Sequence, residues 1–271
     1  MGVFLQKTGK LLAVIALLVV VAVIVLVATR SGGGASVKES ISSAVEVLRQ
    51  MESGDPDAVV QTIRAQQKAR MLAEREDLRQ KLLDGEIDVW SQFQDYLILG
   101  DSRASGYYYY SFLPQERCYA EAGDTVKKMG EHIPDVISAA PARIFVSYGI
   151  NDINIGFWQT ADEYCAEMVE IFDEMQESLP DLEIYVNSIL EVQDWALSKG
   201  ENWKYAPEWN EVIKQMCIDH GYTYIDNSQI TAEHQDLYEG DGIHFTPQFY
   251  NYWATNMILA TYYRGSEEEF E

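Results

Sequence analysis

Cysteine is scarce in this chain of 271 residues, and no C-x-x-C pair occurs. The three cysteines, Cys118, Cys165 and Cys217, lie far apart, which argues against a metal site of the zinc-finger kind. An odd number of cysteines allows at most one internal disulfide. Free buried thiols are our interpretation, although the spacing alone leaves a pairing open.

Basic residues are also few, with 20 Lys and Arg against 43 Asp and Glu and a net charge of −23. Residues 91–271 hold nine bases and thirty-two acids, whereas residues 1–30 hold three bases and no acid. Nucleic-acid binding depends on Lys and Arg at phosphates, so a nucleic-acid partner is excluded. So acidic a surface favours neutral or cationic partners. A hydrophobic content of 47% excludes wholesale disorder.

One long apolar run, Leu11 to Ala28, contains no charged residue. Its 18 residues span about 27 Å as a helix, close to the ~30 Å core of a bilayer. We therefore predict a transmembrane anchor within residues 1–30. Lys7 and Lys10 precede the span and keep the N-terminus in the cytoplasm, which places the rest of the chain outside. The small residues at 32–36 are of the kind that a signal peptidase accepts, so cleavage of the anchor and secretion of the protein stay open as an alternative.

Residues 31–90 contain few strand-like patterns. Ser31-Gly32-Gly33-Gly34 is a flexible hinge. Helical periodicity follows at 36–52, and residues 57–83 are rich in Gln, Arg, Ala, Leu and Glu. Two polar helices predict a stalk that spaces a domain from the membrane, with packing on the domain or self-association as alternatives.

Short apolar runs alternate with amphipathic stretches from residue 91 to 264. Strands are predicted at 96–99, 143–148, 182–188 and 222–226, and helices near 124–139, 160–179 and 206–220. This alternation predicts a three-layer α/β fold with a parallel sheet covered on both faces. Ligands bind such folds at the carboxyl ends of the strands. The acidic end, 265–271, is predicted to be a disordered tail.

A candidate nucleophile follows the first predicted strand, in Gly100-Asp101-Ser102. A serine at a tight strand-to-helix turn is presented above the sheet edge, although a plain turn with a helix cap is the alternative. A serine nucleophile requires a base and a group that orients the base. Asp241-Gly242-Ile243-His244 supplies both, because three residues of loop place the carboxylate beside the imidazole.

A third group follows the second predicted strand, in Gly149-Ile150-Asn151-Asp152. The Asn151 amide can point an N–H at the oxyanion that forms when serine attacks a carbonyl. Gly123 offers a backbone N–H at close approach, because it lacks a Cβ. Serine, glycine, asparagine and histidine thus occur in order, each at a strand end or in a nearby loop.

These four blocks resemble those of the SGNH hydrolases, the superfamily of GDSL esterases and lipases, and the resemblance covers about residues 92–264. It implies a flavodoxin-like α/β/α domain in which Ser102 is the nucleophile, His244 the base and Asp241 its orienting partner. It further implies an oxyanion hole formed by Ser102, Gly123 and Asn151, and no cofactor or metal. Substrates in the superfamily range from acetylated sugars to lysophospholipids and thioesters, and some members are acyltransferases.

Aromatic residues suggest where a substrate binds. We predict an aromatic wall from Trp203, Tyr205 and Trp209, because loops at this end of the sheet line the pocket. Tyr107 to Tyr110 follow the nucleophile, and a helix cannot bury all four; core packing with an exposed edge and a sugar-stacking platform are the two interpretations.

Two charged features near the candidate site have simple interpretations. Arg103 is expected to pair with a nearby acid. The segment from Asp152 to Glu163 is weakly similar to a calcium loop, but Phe157 stands where such a loop requires glycine, so no calcium site is predicted.

The sequence therefore predicts a membrane-anchored, outward-facing serine esterase. We expect a short acyl group, acetyl, on a carbohydrate at the cell surface or outside the cell. A lysophospholipase-like lipase or an O-acyltransferase is the alternative within the same chemistry. A non-catalytic binding or scaffold module on the membrane is the alternative of another class.

Overall fold

A computed structural model describes Val45 and residues 56–263. Four predicted features lie outside the described residues: the transmembrane run 11–28, the hinge at 31–34, the first stalk helix apart from Val45, and the acidic tail 265–271. No helix between residues 56 and 263 combines the length and the apolar character that a bilayer span requires. The anchor stays a prediction from the sequence.

The described chain falls into two compact units, the first ending at Glu74 and the second beginning at Arg75. Helix α1 runs from Pro56 to Leu83, one residue from the predicted start. The second unit begins earlier than the domain boundary predicted near residue 91. Leu82 and Val89 are buried in its core, so the end of α1 is part of the folded domain and not of a solvated spacer.

Five parallel strands form the sheet, in the order β2-β1-β3-β4-β5. They are β1 (Tyr96–Gly100), β2 (Cys118–Ala120), β3 (Arg143–Ser147), β4 (Glu183–Asn187) and β5 (Thr223–Ile225). The four strands predicted from the sequence are all present. Strand β2 was not predicted, because three residues without a branched aliphatic side chain give no strand signal.

Nine α-helices are described between residues 56 and 263. After α1 come α2 (Gly106–Tyr109), α3 (Val126–Glu131), α4 (Ile133–Ala139), α5 (Ile150–Ile155), α6 (Ala161–Ser178), α7 (Ala206–His220), α8 (Ser228–Glu233) and α9 (Phe249–Tyr262). Short 3-10 turns lie at Trp90–Gln92, Gln115–Arg117, Asp194–Lys199, Glu201–Tyr205 and Gln235–Leu237. The predicted stretch 124–139 is two helices, because Pro134 has no N–H to continue the first.

Side chains of the strands alternate between two hydrophobic clusters. Leu97 and Leu99 of β1 face the cluster that packs against α3, α4, α6 and α7. Ile98 of β1 and Phe145 of β3 face the other cluster, with α2, α9 and the end of α1. Because successive side chains of a strand point to opposite faces, the sheet is covered on both sides. The predicted three-layer α/β/α fold is confirmed.

All three cysteines are buried and unpaired, as predicted. Burial raises the pKa of the Cys118 and Cys165 thiols to about 12. These thiols therefore stay protonated at neutral pH and behave as small apolar side chains.

Candidate active site

Ser102 and His244 are hydrogen-bonded across 142 residues of sequence. Ser102 Oγ lies 2.9 Å from His244 Nε2, and His244 Nδ1 lies 2.6 Å from Asp241 Oδ2. A carboxylate at Nδ1 favours the tautomer whose Nε2 has a free lone pair. In that tautomer Nε2 accepts the serine proton, so the three residues are arranged as the sequence predicts.

The turn that carries Ser102 depends on Gly100 at the end of β1. A Cβ on this residue would lie 2.5 Å from the Cβ of Ala104 and 2.8 Å from the carbonyl oxygen of Ser147. Only glycine fits there without a shift of the neighbouring strand. The backbone N–H of Arg103 donates to Asp101 Oδ1 at 3.0 Å, which closes the turn around Ser102.

Arg103, the residue after Ser102, is buried and is 1% exposed. Its Nε lies 3.7 Å from Asp101 Oδ1, and its Nη1 donates to the carbonyl oxygen of Leu190. The expected pairing with an acid is therefore present. Burial raises the pKa of the Asp101 carboxyl group, and the Arg103 charge counteracts this.

The loop that carries His244 is organised by Asp241. Asp241 Oδ1 accepts hydrogen bonds from the backbone N–H groups of Ile243 and His244, at 2.8 and 3.0 Å. Gly242 has a φ of +70°, which a glycine adopts without strain. Burial acts to raise the pKa of Asp241, but the bonds from His244 and Ile243 outweigh it and lower the pKa to about 2. The carboxylate is therefore ionised at neutral pH.

A segment that follows β4 supports the same loop from outside. The backbone N–H of Gln193 donates to the carbonyl oxygen of Gly242 at 2.9 Å. Lys199 Nζ donates to the carbonyl oxygen of Asp241 at 2.9 Å and lies 4.6 Å from the centre of the Trp195 ring. These contacts fix the backbone of the loop that carries Asp241 and His244.

Asn151 lies in the first turn of α5, a helix that begins directly after β3. Gly149 precedes it with a φ of +128°, and a Cβ there would lie 2.5 Å from Ile189. Asn151 Nδ2 donates to the carbonyl oxygen of Asp124 at 2.8 Å. Within the described residues the Asn151 amide donates this one hydrogen bond, so its second hydrogen could meet an oxyanion.

Gly123 lies in the loop between β2 and α3 with a φ of +86°. The registers pair Gly100 of β1 with Ala120 of β2 and with Ser147 of β3. Ser102, Gly123 and Asn151 each follow one of these adjacent strand ends. The structure therefore brings all three to one edge of the sheet.

Asp152 is a buried acid that the sequence analysis did not assign to the site. Its Oδ1 accepts hydrogen bonds from the backbone N–H of Val126 at 3.1 Å and from Trp158 Nε1 at 3.0 Å. It thereby ties α5, which carries Asn151, to the start of α3, which follows the Gly123 loop. Burial raises its pKa to about 6, although the Trp158 and Val126 bonds act to lower it.

No group of three potential metal ligands occurs within the described part of the chain. In the segment weakly similar to a calcium loop, the Asp152 carboxylate accepts the hydrogen bonds from Val126 and Trp158. Glu163 Oε2 accepts a hydrogen bond from the backbone N–H of Gln159. Both carboxylates therefore serve local structure.

A cavity of about 480 Å³ opens beside the Ser102–His244 pair. Its lining consists of Ser102, Ser105, Gly106, Tyr109, Tyr110, Glu239, Gly240, Asp241, His244, Phe245 and Tyr250. None of these residues has an aliphatic side chain. The cavity is therefore bounded by aromatic rings, hydroxyl groups and carboxylates.

The predicted aromatic wall lies elsewhere. Trp203 Nε1 donates to the carbonyl oxygen of Ile150 at 2.7 Å, and the Trp209 ring packs 5.3 Å from that of Tyr164. Tyr205 is 41% exposed and lies under Lys204. The 3-10 turns after β4 pack on α5 and the core instead of the cavity, so none of these three residues lines it.

The run of four tyrosines supplies the cavity with aromatic rings instead. Tyr107 is fully buried in the core, whereas Tyr109 is 76% exposed. Tyr109 and Tyr110 line the cavity. Core packing with an exposed edge is therefore confirmed, because a short helix sends its residues to the core and to the surface in turn. The sugar-stacking platform stays a prediction.

The three-layer α/β fold and the hydrogen-bonded Ser102, His244 and Asp241 are compatible with a hydrolase. The chain belongs to the GDSL-like lipase/acylhydrolase family, whose model matches residues 98–252. By this membership it is an ester-bond hydrolase, and the resemblance to GDSL esterases and lipases is confirmed.

Solved structures of two bacterial proteins are similar to this chain. A GDSL-like lipase from Bacteroides thetaiotaomicron aligns with a TM-score of 0.52 at 15% identity, over 61% of this chain and 86% of its own. A lipase/acylhydrolase from Enterococcus faecalis aligns with a TM-score of 0.51 at 14% identity, over 64% and 97%. Identities this low show the fold alone. No curated protein matches the sequence.

Proposed function

We propose that the protein is a serine esterase that removes short acyl groups, above all acetyl, from a polar alcohol such as a carbohydrate. Ser102 is the nucleophile, His244 the general base and Asp241 the group that orients His244. The observation that carries this proposal is the continuous line of hydrogen bonds, 2.9 Å from Ser102 to His244 and 2.6 Å from His244 to Asp241.

In the first half of the reaction Ser102 Oγ bonds to the ester carbonyl carbon while its proton moves to His244 Nε2. The negative charge on the former carbonyl oxygen is met by the backbone N–H groups of Ser102 and Gly123 and by the Asn151 amide. The carbon–oxygen bond to the alcohol then breaks, and His244 returns the proton to the alcohol oxygen. Water repeats these steps on the acyl-enzyme and releases the acid.

The position of the cavity indicates which half of the substrate it holds. The leaving alcohol oxygen receives its proton from His244 Nε2 and therefore lies on the His244 side. The cavity is lined by His244 and its loop, whereas Gly123 and Asn151 are not part of its lining. We therefore assign the cavity to the alcohol part of the substrate.

The chemistry of the lining favours a polar alcohol. Sites for hydrocarbon chains are lined by aliphatic side chains, because these gain free energy from excluding water from hydrocarbon. Tyrosine rings with hydroxyl and carboxylate groups instead suit a polyhydroxylated ligand. The length of the acyl group, which lies on the other side of the ester, is decided by the acyl-chain experiment.

The location remains part of the proposal. Leu11 to Ala28 are long and apolar enough to anchor the chain in a membrane, and the lysines before them favour a cytoplasmic N-terminus. The hydrolase domain then lies outside the cytoplasm, where surface carbohydrates are found. Cleavage after the span leads to a secreted enzyme.

Acyl-chain preference tests the proposal. We would compare kcat/KM of the full chain and of Ser102→Ala on p-nitrophenyl esters of two, four, eight and twelve carbons. We expect activity that depends on Ser102 and is highest with the acetyl ester. A maximum at eight or twelve carbons contradicts the short-acyl assignment and favours the lipase.

Natural substrates are needed to identify the alcohol part of the ester. Acetate release from an acetylated polysaccharide would be compared with fatty-acid release from a lysophospholipid, using the wild type and Ser102→Ala. Serine-dependent release of acetate supports the carbohydrate assignment. Acyl transfer to an added alcohol in place of water would instead favour the O-acyltransferase.

A further inference from the structure

One wall of the cavity combines an exposed aromatic ring with a carboxylate. Tyr109 is 76% exposed, and its ring meets that of Tyr110 edge-on at 5.3 Å. The Tyr110 hydroxyl lies 3.1 Å from Glu239 Oε1 and 3.1 Å from the carbonyl oxygen of Phe245, and it donates to both. The position of the Glu239 carboxylate is thereby fixed beside the two rings.

Tyr110 remains a hydrogen-bond donor at any physiological pH. Burial, the hydrogen bond to Glu239 and the charge of Glu239 together raise its pKa to about 12. The Glu239 carboxylate in turn uses one oxygen for this bond and is exposed, so its other oxygen faces the solvent in the cavity.

The charge of the lining has one sign. Glu239 and Asp241 are its carboxylates, and neither lysine nor arginine contributes to it. Lys199 is the base that contacts this loop, but it donates to the backbone of Asp241, stacks on Trp195 and does not line the cavity. An anionic alcohol therefore meets repulsion here, and a cationic one meets a countercharge.

We propose that the alcohol part of the substrate carries an ammonium group, as in an amino sugar or an amino alcohol, and that Glu239 and the face of Tyr109 bind it. This inference rests on the proposed function, because it concerns the cavity assigned there to the alcohol. A carboxylate beside an open tyrosine face is the combination that recognises organic ammonium ions.

The expected gain in kcat/KM is limited by the solvent exposure of the two side chains. Both Glu239 and Tyr109 are open to solvent, so each attraction is weakened by water and by salt. We expect the two together to raise kcat/KM for a cationic alcohol about fivefold to twentyfold over a neutral one of equal shape.

Two esters that differ in a single atom provide the test. Acetylcholine and 3,3-dimethylbutyl acetate have the same shape, but the first has a positively charged nitrogen where the second has carbon. We would measure kcat/KM for both with the full chain at low ionic strength and again at 0.5 M salt. We expect a ratio of about 5 to 20 in favour of acetylcholine, reduced by salt.

Glu239→Gln is the decisive variant, because glutamine retains an oxygen that accepts the Tyr110 hydroxyl and removes only the charge. We expect the ratio to fall about twofold to fivefold, because the ion pair is lost while the Tyr109 ring stays in place. Glu233→Gln is the matched control: it removes an exposed charge at the end of α8, where Glu233 accepts from Gln229, and should retain the wild-type ratio.

The outcomes separate the two proposals. A wild-type ratio of one or less, or a ratio that survives in Glu239→Gln, overturns the ammonium subsite. Cleavage of p-nitrophenyl acetate but of neither test ester also overturns it, and leaves the esterase proposal standing. Failure to cleave all three esters in a Ser102-dependent way overturns both.

Discussion

The side-chain amide of Asn151 donates a 2.8 Å hydrogen bond to the carbonyl oxygen of Asp124, the residue that follows Gly123. This bond joins the helix after β3 to the loop after β2. Together with the turn at Ser102, these two segments are the ones assigned to the oxyanion hole. The bond connects them, so the positions of Asn151 and Gly123 depend on each other.

Asn151→Ala removes both the amide donor and this connection. We expect kcat on p-nitrophenyl acetate to fall about 10²- to 10³-fold with little change in KM, because the donor acts on the charge of the transition state. Asn202→Ala is the control, since Asn202 also donates to α5, at the Ile153 carbonyl, away from the nucleophile. A loss of less than threefold in Asn151→Ala contradicts its assignment.

Asp241→Asn tests the orientation of the histidine. The amide oxygen can retain the bonds to the N–H groups of Ile243 and His244, while the amide nitrogen faces His244 Nδ1. His244 must then carry its proton on Nε2, where it cannot accept one from Ser102. We expect kcat to fall about 10⁴-fold with the fold intact by circular dichroism. Asp236→Asn, at an exposed position, should leave kcat within twofold.

Asp152 predicts a specific dependence of stability on pH. Its pKa of about 6 in the folded protein exceeds the ordinary aspartate value of 3.8, so the folded state holds the proton more tightly between these values. Its ionisation destabilises the fold by about 3 kcal/mol above pH 6, and this penalty disappears as the pH falls from 6 to 3.8.

Asp152→Asn should remove that dependence. The gain of Asp152→Asn over the wild type in the free energy of unfolding should be about 1 kcal/mol larger at pH 7.5 than at pH 5. Urea unfolding at both values measures it. An equal difference at the two pH values would show that the buried carboxyl group does not titrate in this range.

Gly106 lies where α2 touches α9. A Cβ on Gly106 would lie 1.9 Å from the Tyr250 hydroxyl, which donates to the carbonyl oxygen of Arg103 at 2.7 Å. Gly106→Ala therefore displaces Tyr250, and we expect a loss of about 1–3 kcal/mol of stability together with reduced kcat.

Gly130→Ala provides the matched control for Gly106→Ala. Its Cβ would lie 3.6 Å from Ile171, an ordinary contact, and it lies inside helix α3. Since alanine favours a helix, Gly130→Ala should be neutral or stabilising by up to about 1 kcal/mol. Thermal unfolding of the two variants compares them directly, and equal melting temperatures would refute the predicted clash.

Much of the fold was predictable because its signals are local. Four apolar runs gave four strands, and Gly221, with a φ of +72°, ends α7 where the sequence indicates. The proximity of Ser102, Asp241 and His244 was predictable because motif and strand context coincide. Helix α5 was not, since six residues after a glycine resemble a loop.

The contacts of the predicted aromatic wall were not predictable from the sequence, for a different reason. Trp203 and Trp209 lie after a strand, as pocket residues do, but their final contacts depend on how the 3-10 turns after β4 cross the sheet edge. They pack on Ile150 and Tyr164, whereas Tyr109 occupies the cavity. Asp152 likewise resembles any surface acid until its burial is known.

The 142 residues that separate Ser102 from His244 also determine when these two residues can meet during synthesis of the chain. A ribosome adding ~5–20 residues per second needs about 7 to 30 s to reach the histidine after the serine. The Trp253 ring of α9, fully buried and bonded to Asn187, follows later still. The nascent chain therefore carries Ser102 without its hydrogen-bond partner until nearly all of the hydrolase domain has been made.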